Sequence, residues 1–322
     1  MRRVLVTGGA GFLGSSAVRA LAGHPDVELV VAGDVRTPAA LPAGVAFEPC
    51  DVTDAANVAA VVRDHRIDTI VHLAAIVNPG GLGEDVEYRV DVEGTRNVLD
   101  AAVAFGVRRI VVSSSGAAYG YHADNPEWLV ETDGIRGNEE FSYSRHKRLV
   151  EEMLAAYRLA HPEVGQAVLR IGTILGPTVA NQITALWDGP RILAIRGSDS
   201  PFVFVWVDDV VGAIVRAATG EVTGAFNVAG DGRMTVDEIA GALGKRTITV
   251  PPSVLALALR VGHAVRLTVH GPERVGFLRY RPVLDNSRLK AVLGYTPAKT
   301  SREAFEAYLA ARAVRAAEAS AR

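Results

Sequence analysis

The sequence is poor in several residue types, and each scarcity excludes a class of protein. A single cysteine, Cys50, among 322 residues cannot close a disulfide within the chain, which indicates a reducing compartment, and we expect a cytoplasmic protein. No apolar run reaches the length of a membrane span, so no membrane partner is expected. The 34 basic residues nearly balance the 36 acidic ones, which argues against a nucleic-acid partner. The eight histidines and the cysteine show no metal-ligand spacing, so no metal site is predicted.

Short apolar runs alternate with amphipathic segments up to residue 171, and strand and helix patterns resume at residues 202–228. Strands are predicted at residues 3–6, 28–32, 45–47, 69–73, 109–113, 167–171, 202–207 and 225–228. Helices are predicted at residues 12–22, 55–65, 84–105, 143–159 and 209–218. Because strands and helices alternate, we expect an α/β fold with one doubly wound parallel sheet that helices cover on both faces. We expect the last two of these strands to rejoin that sheet.

The remainder of the chain has a different pattern. Gly, Pro and Asn interrupt residues 176–201, and short helices, including one at 254–267, dominate after residue 229. We therefore expect residues 1–172 and 202–229 to form a dinucleotide-binding domain. Residues 173–201 and 230–322 are expected to form a smaller, mostly helical substrate-binding lobe over the carboxyl ends of the strands.

A glycine-rich segment, Thr7-Gly8-Gly9-Ala10-Gly11-Phe12-Leu13-Gly14, lies between the first predicted strand and the first predicted helix. Its glycines fit G-x-G-x-x-G or the variant of that motif with two-residue spacing. Glycine allows the tight turn, the close approach of the backbone to a pyrophosphate, and the close packing of helix on strand. Phosphates then bind the unpaired N–H groups at the start of the helix. We predict a Rossmann-type dinucleotide site that includes Gly8, Gly11, Phe12, Leu13 and Gly14.

Asp34 lies twenty residues after Gly14, at the end of the second predicted strand. An acidic residue here accepts hydrogen bonds from the adenosine ribose, and its charge disfavours a 2′-phosphate, so NAD is the predicted cofactor. Arg36 could instead bind a 2′-phosphate, which leaves NADP as the alternative. For Asp34 itself the alternative is a solvated turn aspartate.

Tyr143 and Lys147 are four residues apart, which places them on one face of a predicted helix. A phenol is a weak base at its reference pKa of about 10, but a lysine ammonium and an oxidised nicotinamide ring favour the phenolate. Tyr143 could then take the proton of a substrate hydroxyl while hydride leaves the same carbon. The run 113–115, three serines at a predicted strand end, offers a third hydroxyl for the substrate oxygen.

These motifs, in this order, resemble the extended short-chain dehydrogenase/reductase superfamily, in its NAD-dependent epimerase/dehydratase group. Further matching segments are Cys50-Asp51-Val52, His72-Leu73-Ala74-Ala75, Gly94-Thr95 with Asn97, Tyr119-Gly120, Arg170, Gly176-Pro177, Asp208-Asp209, Phe226-Asn227-Val228 and Leu293-Gly294-Tyr295. The resemblance implies that Ser115, Tyr143 and Lys147 are catalytic. It implies that further cofactor contacts come from Asp51, Val52, Leu73, Ala74, Ala75 and Ser113, with Tyr143 and Lys147. It also implies a homodimer through helices 84–105 and 143–159.

Several positions depart from the pattern of that group. Its dehydratases carry an Asp-Glu pair just after the catalytic hydroxyl, where this chain has Gly116 and Ala117, which cannot transfer protons. Its nucleotide-sugar epimerases usually have asparagine at the position of Thr173 and arginine at that of Phe202. A diphosphate needs cationic donors, which a phenyl ring lacks. An arginine of the smaller lobe, at position 274, 279 or 281, could supply that contact.

The sequence therefore predicts an NAD-dependent oxidoreductase that interconverts a secondary alcohol and a ketone by reversible hydride transfer. Its small-molecule substrate is expected to be fairly apolar. A UDP-sugar 4-epimerase with tightly bound NAD is the alternative, because it uses the same three catalytic residues. A non-catalytic dinucleotide-binding protein is a third hypothesis, which the presence of both Tyr143 and Lys147 disfavours.

Overall fold

A computed structural model describes residues 1–77, 82–199, 201–264, 271 and 274–320 of the chain. The strands are β1 (Arg2–Thr7), β2 (Val27–Asp34), β3 (Val45–Pro49), β4 (Thr69–His72), β5 (Arg109–Ser115), β6 (Gly165–Ile171), β7 (Thr173–Leu175), β8 (Arg191–Ile195), β9 (Phe204–Trp206), β10 (Gly224–Val228) and β11 (Arg246–Val250). Seven of them form one parallel sheet in the order β3-β2-β1-β4-β5-β6-β10. The strand order reverses beside β1, where doubly wound sheets bind ligands. The predicted fold class is confirmed.

Helices cover both faces of the large sheet. They are α1 (Phe12–Ala22), α2 (Ala55–Asp64), α3 (Glu84–Tyr88), α4 (Gly94–Ala104), α5 (Ser142–Ala160), α6 (Val207–Thr219), α7 (Val236–Ala242), α8 (Pro252–Ala264), α9 (Arg274–Arg279) and α10 (Ser301–Ser320). α1 and α6 bury one face, and α2, α4 and α5 bury the other. Strands buried on both faces are continuous apolar runs, and β1 accordingly leaves Val4, Leu5 and Val6 with no exposed surface.

Two predicted helices differ from expectation in detail. The helix expected at 84–105 is continuous, but a π-helical turn at Arg89–Glu93 joins α3 to α4. Such a turn is wider than an α-helical turn and shifts the residues after it around the helix axis. α8 contains the start of the helix predicted at 254–267, whose end lies outside the described residues. Among the helices that the structure describes, none combines the length and apolar character of a membrane span.

Smaller sheets lie beside the large one. β9 pairs with β7, so the strand predicted at 202–207 lies outside the sheet that we expected it to rejoin, whereas β10 does join it beside β6. The apolar pattern of this short segment identifies a buried strand but not its partner. β8 and β11 form a parallel pair. This two-stranded sheet was not predicted, because residues 173–201 and 230–322 were expected to be mostly helical. An aromatic core centred on Trp187 packs beside them, with Phe202, Phe204 and Phe305 edge-on to its ring.

Candidate active site

The glycine-rich segment makes a tight turn between β1 and α1. Gly8 has a φ of +69°, and a Cβ atom there would lie 2.8 Å from the backbone nitrogen of Ala74. A Cβ atom on Gly14 would overlap the Gly8 carbonyl oxygen, so the helix packs directly on the turn. Gly11 precedes α1 and provides no side-chain cap for its first N–H groups. Phe12 and Leu13 begin the helix. The cradle therefore fits a pyrophosphate, whose oxygens can accept from those N–H groups.

Asp34 is buried at the carboxyl end of β2, with 6% of its surface exposed. Its Oδ2 accepts from the Ala10 N–H of the glycine turn at 3.0 Å, and its Oδ1 accepts from the Arg36 N–H at 3.0 Å. The Arg36 guanidinium is largely exposed, with its Nε 3.8 Å from Asp34 Oδ1. Asp34 is thus a buried part of the glycine-turn structure, unlike a solvated turn aspartate, and Arg36 lies at the edge of the same site.

The ends of β3 and β4 lie beside the ends of β2 and β1 in the sheet, next to the glycine turn. Asp51 accepts from the N–H and hydroxyl of Thr53 at 2.9 and 2.8 Å, which shapes the turn after β3. Val52 is buried, and its carbonyl accepts from Asn97 Nδ2 at 2.8 Å. Leu73 follows β4 and donates its N–H to the Thr7 carbonyl at 3.2 Å. The segments predicted to line the cofactor, residues 51–52 and 73–75, therefore both lie at carboxyl strand ends next to β1 and β2.

A chain of hydrogen bonds fixes the side chain of His72 at the end of β4. The Thr95 hydroxyl donates to the Asp91 carbonyl at 2.6 Å, so it accepts from His72 Nε2–H at 3.0 Å. His72 Nδ1 then accepts from the Thr7 hydroxyl at 2.7 Å. The Ala74 N–H donates to Thr7 Oγ1 at 3.4 Å. The pattern requires a neutral imidazole with its proton on Nε2, and it ties the end of β4 to the start of the glycine turn.

The neutral state of His72 predicts a pH-dependent stability. Burial, reinforced by the charge of Lys147, lowers the pKa of His72 from 6.5 to about 4. The unfolded chain therefore binds a proton in this range that the folded protein does not. We expect His72 to contribute a stabilisation that is complete above pH 6.5 and decreases by about 3 kcal/mol as the pH falls to 4. Urea unfolding of wild type and His72→Asn, measured between pH 4 and 7.5, isolates this contribution.

The slope with pH is the informative quantity, because His72→Asn is also expected to be less stable at neutral pH. His161→Asn, at the partly exposed end of α5, is the control and should keep the wild-type slope. The same slope in all three proteins would contradict the assignment.

The three predicted catalytic residues lie where β5 ends and α5 begins. Lys147 is buried, and its Nζ donates to the Ser113 carbonyl at 3.0 Å. The same nitrogen lies 5.7 Å from the centroid of the Tyr143 ring. Ser115 is half-buried, and its hydroxyl oxygen accepts from the Ala117 N–H at 3.2 Å. The lysine charge is thereby fixed beside the phenol, and the serine hydroxyl hydrogen remains available to a ligand.

A buried ion pair, for which the sequence analysis proposed no role, supports the end of β5. Arg170 Nη2 donates to Glu151 Oε2 at 2.7 Å, and Arg170 Nε contacts both carboxylate oxygens at 2.9 and 3.0 Å. Ser114 also donates to Glu151, and Arg170 Nη1 donates to the Tyr119 hydroxyl at 2.8 Å. Burial raises the pKa of Tyr119 to about 12 despite the arginine. The network connects α5, β5 and β6. In the sequence, this network is indicated by a charged residue in an otherwise apolar stretch, such as Arg170 in β6.

The position that lacks an expected arginine has an arginine beside it. The guanidinium carbon of Arg281 lies 3.7 Å from the ring centroid of Phe202, and 5.5 Å from that of Phe277. Burial lowers the pKa of Arg281 to about 9, while Tyr121 raises it. Arg279 lies over Tyr280 instead, and the side chain of residue 274 lies outside the described part. Of the two candidates whose side chains the structure describes, Arg281 is therefore the one in contact with Phe202.

Aromatic rings extend from Arg281 to the start of α5, where Tyr143 lies. Phe141, two residues before Tyr143, stacks on Phe277 of α9 at 5.6 Å between centroids. Tyr121 packs edge-on against both rings at 5.7 and 5.0 Å. The cluster formed by Tyr121, Phe141 and Phe277 thus connects the start of α5 to α9.

Comparison with protein families shows which family shares the motifs of this sequence. The sequence model of the NAD dependent epimerase/dehydratase family matches residues 4–229, which confirms the resemblance predicted from the motifs. An uncharacterized protein of Mycobacterium tuberculosis is 27% identical over 315 residues, covering 96% of this chain and 84% of the relative. The dTDP-glucose 4,6-dehydratase of Streptomyces griseus is 30% identical over 316 residues, covering 92% of this chain and 89% of that enzyme.

Solved structures share the fold. The UDP-glucose 4-epimerase of Thermotoga maritima superposes with a TM-score of 0.75 at 21% identity, covering 97% of this chain and 99% of that one. The UDP-glucose 4-epimerase of Thermus thermophilus, solved in complex with NAD, has a TM-score of 0.73 at 25% identity. The match covers 96% of this chain and 98% of that one.

Proposed function

The chain belongs to the NAD dependent epimerase/dehydratase family, and we propose that it is an oxidoreductase that interconverts a secondary alcohol and a ketone. NAD, the cofactor of this family, supplies the hydride acceptor when it is bound. The observation that carries the proposal is the fixed position of Lys147, buried against the Ser113 carbonyl with its charge beside the Tyr143 ring. A lysine charge held there stabilises the phenolate form of Tyr143.

Each catalytic residue has a proposed role. Tyr143 removes the proton from the substrate hydroxyl during oxidation and returns it during reduction. Lys147 stabilises the phenolate, and Ser115 donates a hydrogen bond to the substrate oxygen as its charge changes. We propose that the cofactor contacts these residues together with the strand-end positions, namely Gly8, Gly11, Phe12, Leu13, Gly14, Asp34, Arg36, Asp51, Val52, Leu73, Ala74, Ala75 and Ser113.

The residues after Ser115 argue against a dehydratase, although a dTDP-glucose 4,6-dehydratase is 30% identical. Loss of water requires a further acid and base near the sugar carbons. Gly116 and Ala117 occupy a buried 3₁₀ turn directly after the catalytic strand. Neither has a side chain that exchanges protons, so elimination lacks its acid at these positions.

We assign the substrate lobe to residues 173–201 and 230–322, and its residues Phe277 and Arg281 pack against Phe141 and Phe202 of the dinucleotide-binding domain. The rings of Phe141, Phe277 and Phe202 favour an apolar substrate. Arg281 over Phe202 is the observation that favours the second candidate, a UDP-sugar 4-epimerase, because it brings one forked cation to the place where a diphosphate would lie. A doubly charged diphosphate beside a phenyl ring and one arginine is a poorer fit than an apolar alcohol.

A cofactor-reduction screen tests the proposal. Purified protein is desalted, supplied with NAD or NADP, and incubated with secondary alcohols of graded hydrophobicity and with UDP- and GDP-sugars. We expect absorbance at 340 nm to rise with apolar alcohols and NAD, and to rise at least about tenfold more slowly with NADP because Asp34 opposes a 2′-phosphate. Retention of NAD through desalting together with epimerisation of a UDP-sugar would replace the proposal by the second candidate.

We also propose a cytoplasmic homodimer formed through α4 and α5. Phe105 at the end of α4 is 40% exposed, and Leu159 at the end of α5 is 86% exposed, so both are available to be covered by a partner in such a dimer. Light scattering should give twice the chain mass of 34.1 kDa, and Leu159→Glu should shift the population toward monomer. A wild-type mass equal to one chain would contradict this assembly.

A further inference from the structure

Two polar contacts connect the first turn of α5 to α3, one through the buried Glu87 and one through the exposed Glu84. Ser142 donates its hydroxyl to Glu87 Oε2 at 2.8 Å, and Arg145 forms a salt bridge with Glu84. The two acidic residues are three apart in sequence and therefore share one face of the helical segment. That face runs on into the π-helical turn, where the next acidic residue on it is Asp91.

Asp91 faces His146 of α5 in the protein interior. Asp91 Oδ2 lies 3.5 Å from His146 Nδ1, and the two side chains are 1% and 0% exposed. Within the described residues, neither of these atoms has a hydrogen-bond partner, and His146 Nε2 has none either. Buried polar atoms are nearly always paired, so three unpaired ones on two facing side chains are unusual and point to a functional role. An approach of about half an ångström would make a hydrogen bond of ordinary length.

Asp91 also holds the backbone that follows β4. Its Oδ1 accepts from the Ile76 N–H at 2.8 Å, directly after the segment 73–75 that we assign to the cofactor. Its carbonyl accepts from Thr95, the residue that orients His72. One carboxylate therefore contacts the cofactor-lining segment through one oxygen and faces the catalytic helix through the other. His146 occupies that helix one residue before Lys147.

We propose that Asp91 and His146 are a positioning pair, which forms a hydrogen bond when the dinucleotide is bound and thereby fixes Tyr143 and Lys147 relative to it. The π-helical turn places Asp91 where it reaches both sides. π turns inside helices are often found at functional sites. The inference rests on the proposed cofactor site, but the pair itself is assayed by binding and does not require the proposed alcohol chemistry.

The experiment is a double-mutant cycle with NAD affinity as its first readout. We expect His146→Ala to raise the Kd of NAD by about tenfold, and Asp91→Ala to raise it at least as much because it also releases the Ile76 N–H. The double variant should raise the Kd no more than Asp91→Ala alone, because the contact between the two side chains is already lost. Asp91→Asn keeps an acceptor for Ile76 and offers an amide donor to the imidazole, so it should remain within about threefold of wild type. Val150→Ala, a buried apolar truncation on the same helix, controls for loss of stability alone.

The second readout is the ionisation of Tyr143 in the NAD complex, followed at 295 nm against the corresponding Tyr143→Phe variant. His146→Ala should move this ionisation to higher pH by about one unit, since the phenol and lysine lose their fixed geometry, whereas Val150→Ala should not move it. Additive or absent effects on NAD affinity, with an unmoved Tyr143 ionisation, would overturn the positioning pair. Failure of the alcohol screen together with a coupled cycle would overturn the proposed reaction and leave the pair supported.

Discussion

Tyr143→Phe is expected to lower turnover about a thousandfold while leaving the Kd of NAD within about twofold of wild type. The substitution removes a single oxygen and keeps the ring that lies 5.7 Å from the Lys147 ammonium. Without that oxygen, no group at the start of α5 can exchange a proton with the substrate hydroxyl. Hydride transfer from a neutral alcohol would leave a protonated carbonyl, which is a much higher-energy product. The loss should therefore appear in kcat with little change in KM.

Steady-state kinetics and a fluorescence titration of NAD, performed on the same preparations, separate the two quantities. Tyr157→Phe is the matched control, because Tyr157 lies on the same helix and its hydroxyl donates to Asp100. Burial and the Asp100 carboxylate raise the pKa of Tyr157 to about 12, so it remains protonated in any ordinary assay and its variant should retain wild-type turnover. Undiminished turnover in Tyr143→Phe would remove Tyr143 from the mechanism.

Local sequence patterns predicted much of the secondary structure around the candidate site. The helix predicted at 12–22 matches α1 at both ends, because glycines at its start and an apolar stripe along it are both local signals. Asp54 caps α2 by accepting from the N–H groups of Ala56 and Asn57, which is also a contact within one turn. The spacing of Tyr143 and Lys147 likewise needed only the helical period. These features depend on neighbours within one turn, which a single sequence contains.

The features that the sequence did not reveal all depend on pairing across the fold. β8 and β11 are five-residue strands separated by about fifty residues, and their apolar residues equally suit short helices. Asp91 and His146 meet only because α5 packs beside the π-helical turn, and nothing in either local segment identifies the other. Phe202 predicted a degraded anion site, but only the folded lobe brings Arg281 onto its ring. The amino-acid composition restricts which kinds of contact can form, but it does not determine which distant residues meet.

The largest expected effect on stability comes from the buried ion pair of Glu151 and Arg170, which joins α5 to β6. Glu151→Gln should lower the free energy of unfolding by about 3–5 kcal/mol, since it leaves the Arg170 guanidinium buried without its counter-charge. Burial alone would lower the pKa of Arg170, but the hydrogen bonds that it donates to Glu151 and the charge of that carboxylate raise it instead, so the pair exists as two charges. The Ser114 hydroxyl also loses its carboxylate acceptor. Urea unfolding followed by circular dichroism measures the change.

The chain contains a matched control one residue further along the same helix. Glu152 pairs with Arg148 at 3.0 Å, but its side chain is 53% exposed, so Glu152→Gln should change the free energy of unfolding by less than about 0.5 kcal/mol. Replacing both buried partners, as Glu151→Leu with Arg170→Met, should restore part of the stability lost in Glu151→Gln, because no unpaired charge remains. Equal losses in Glu151→Gln and Glu152→Gln would mean that burial does not amplify this pair. In that case the rigid support of Ser113 and Ser115 would have to come from the sheet alone.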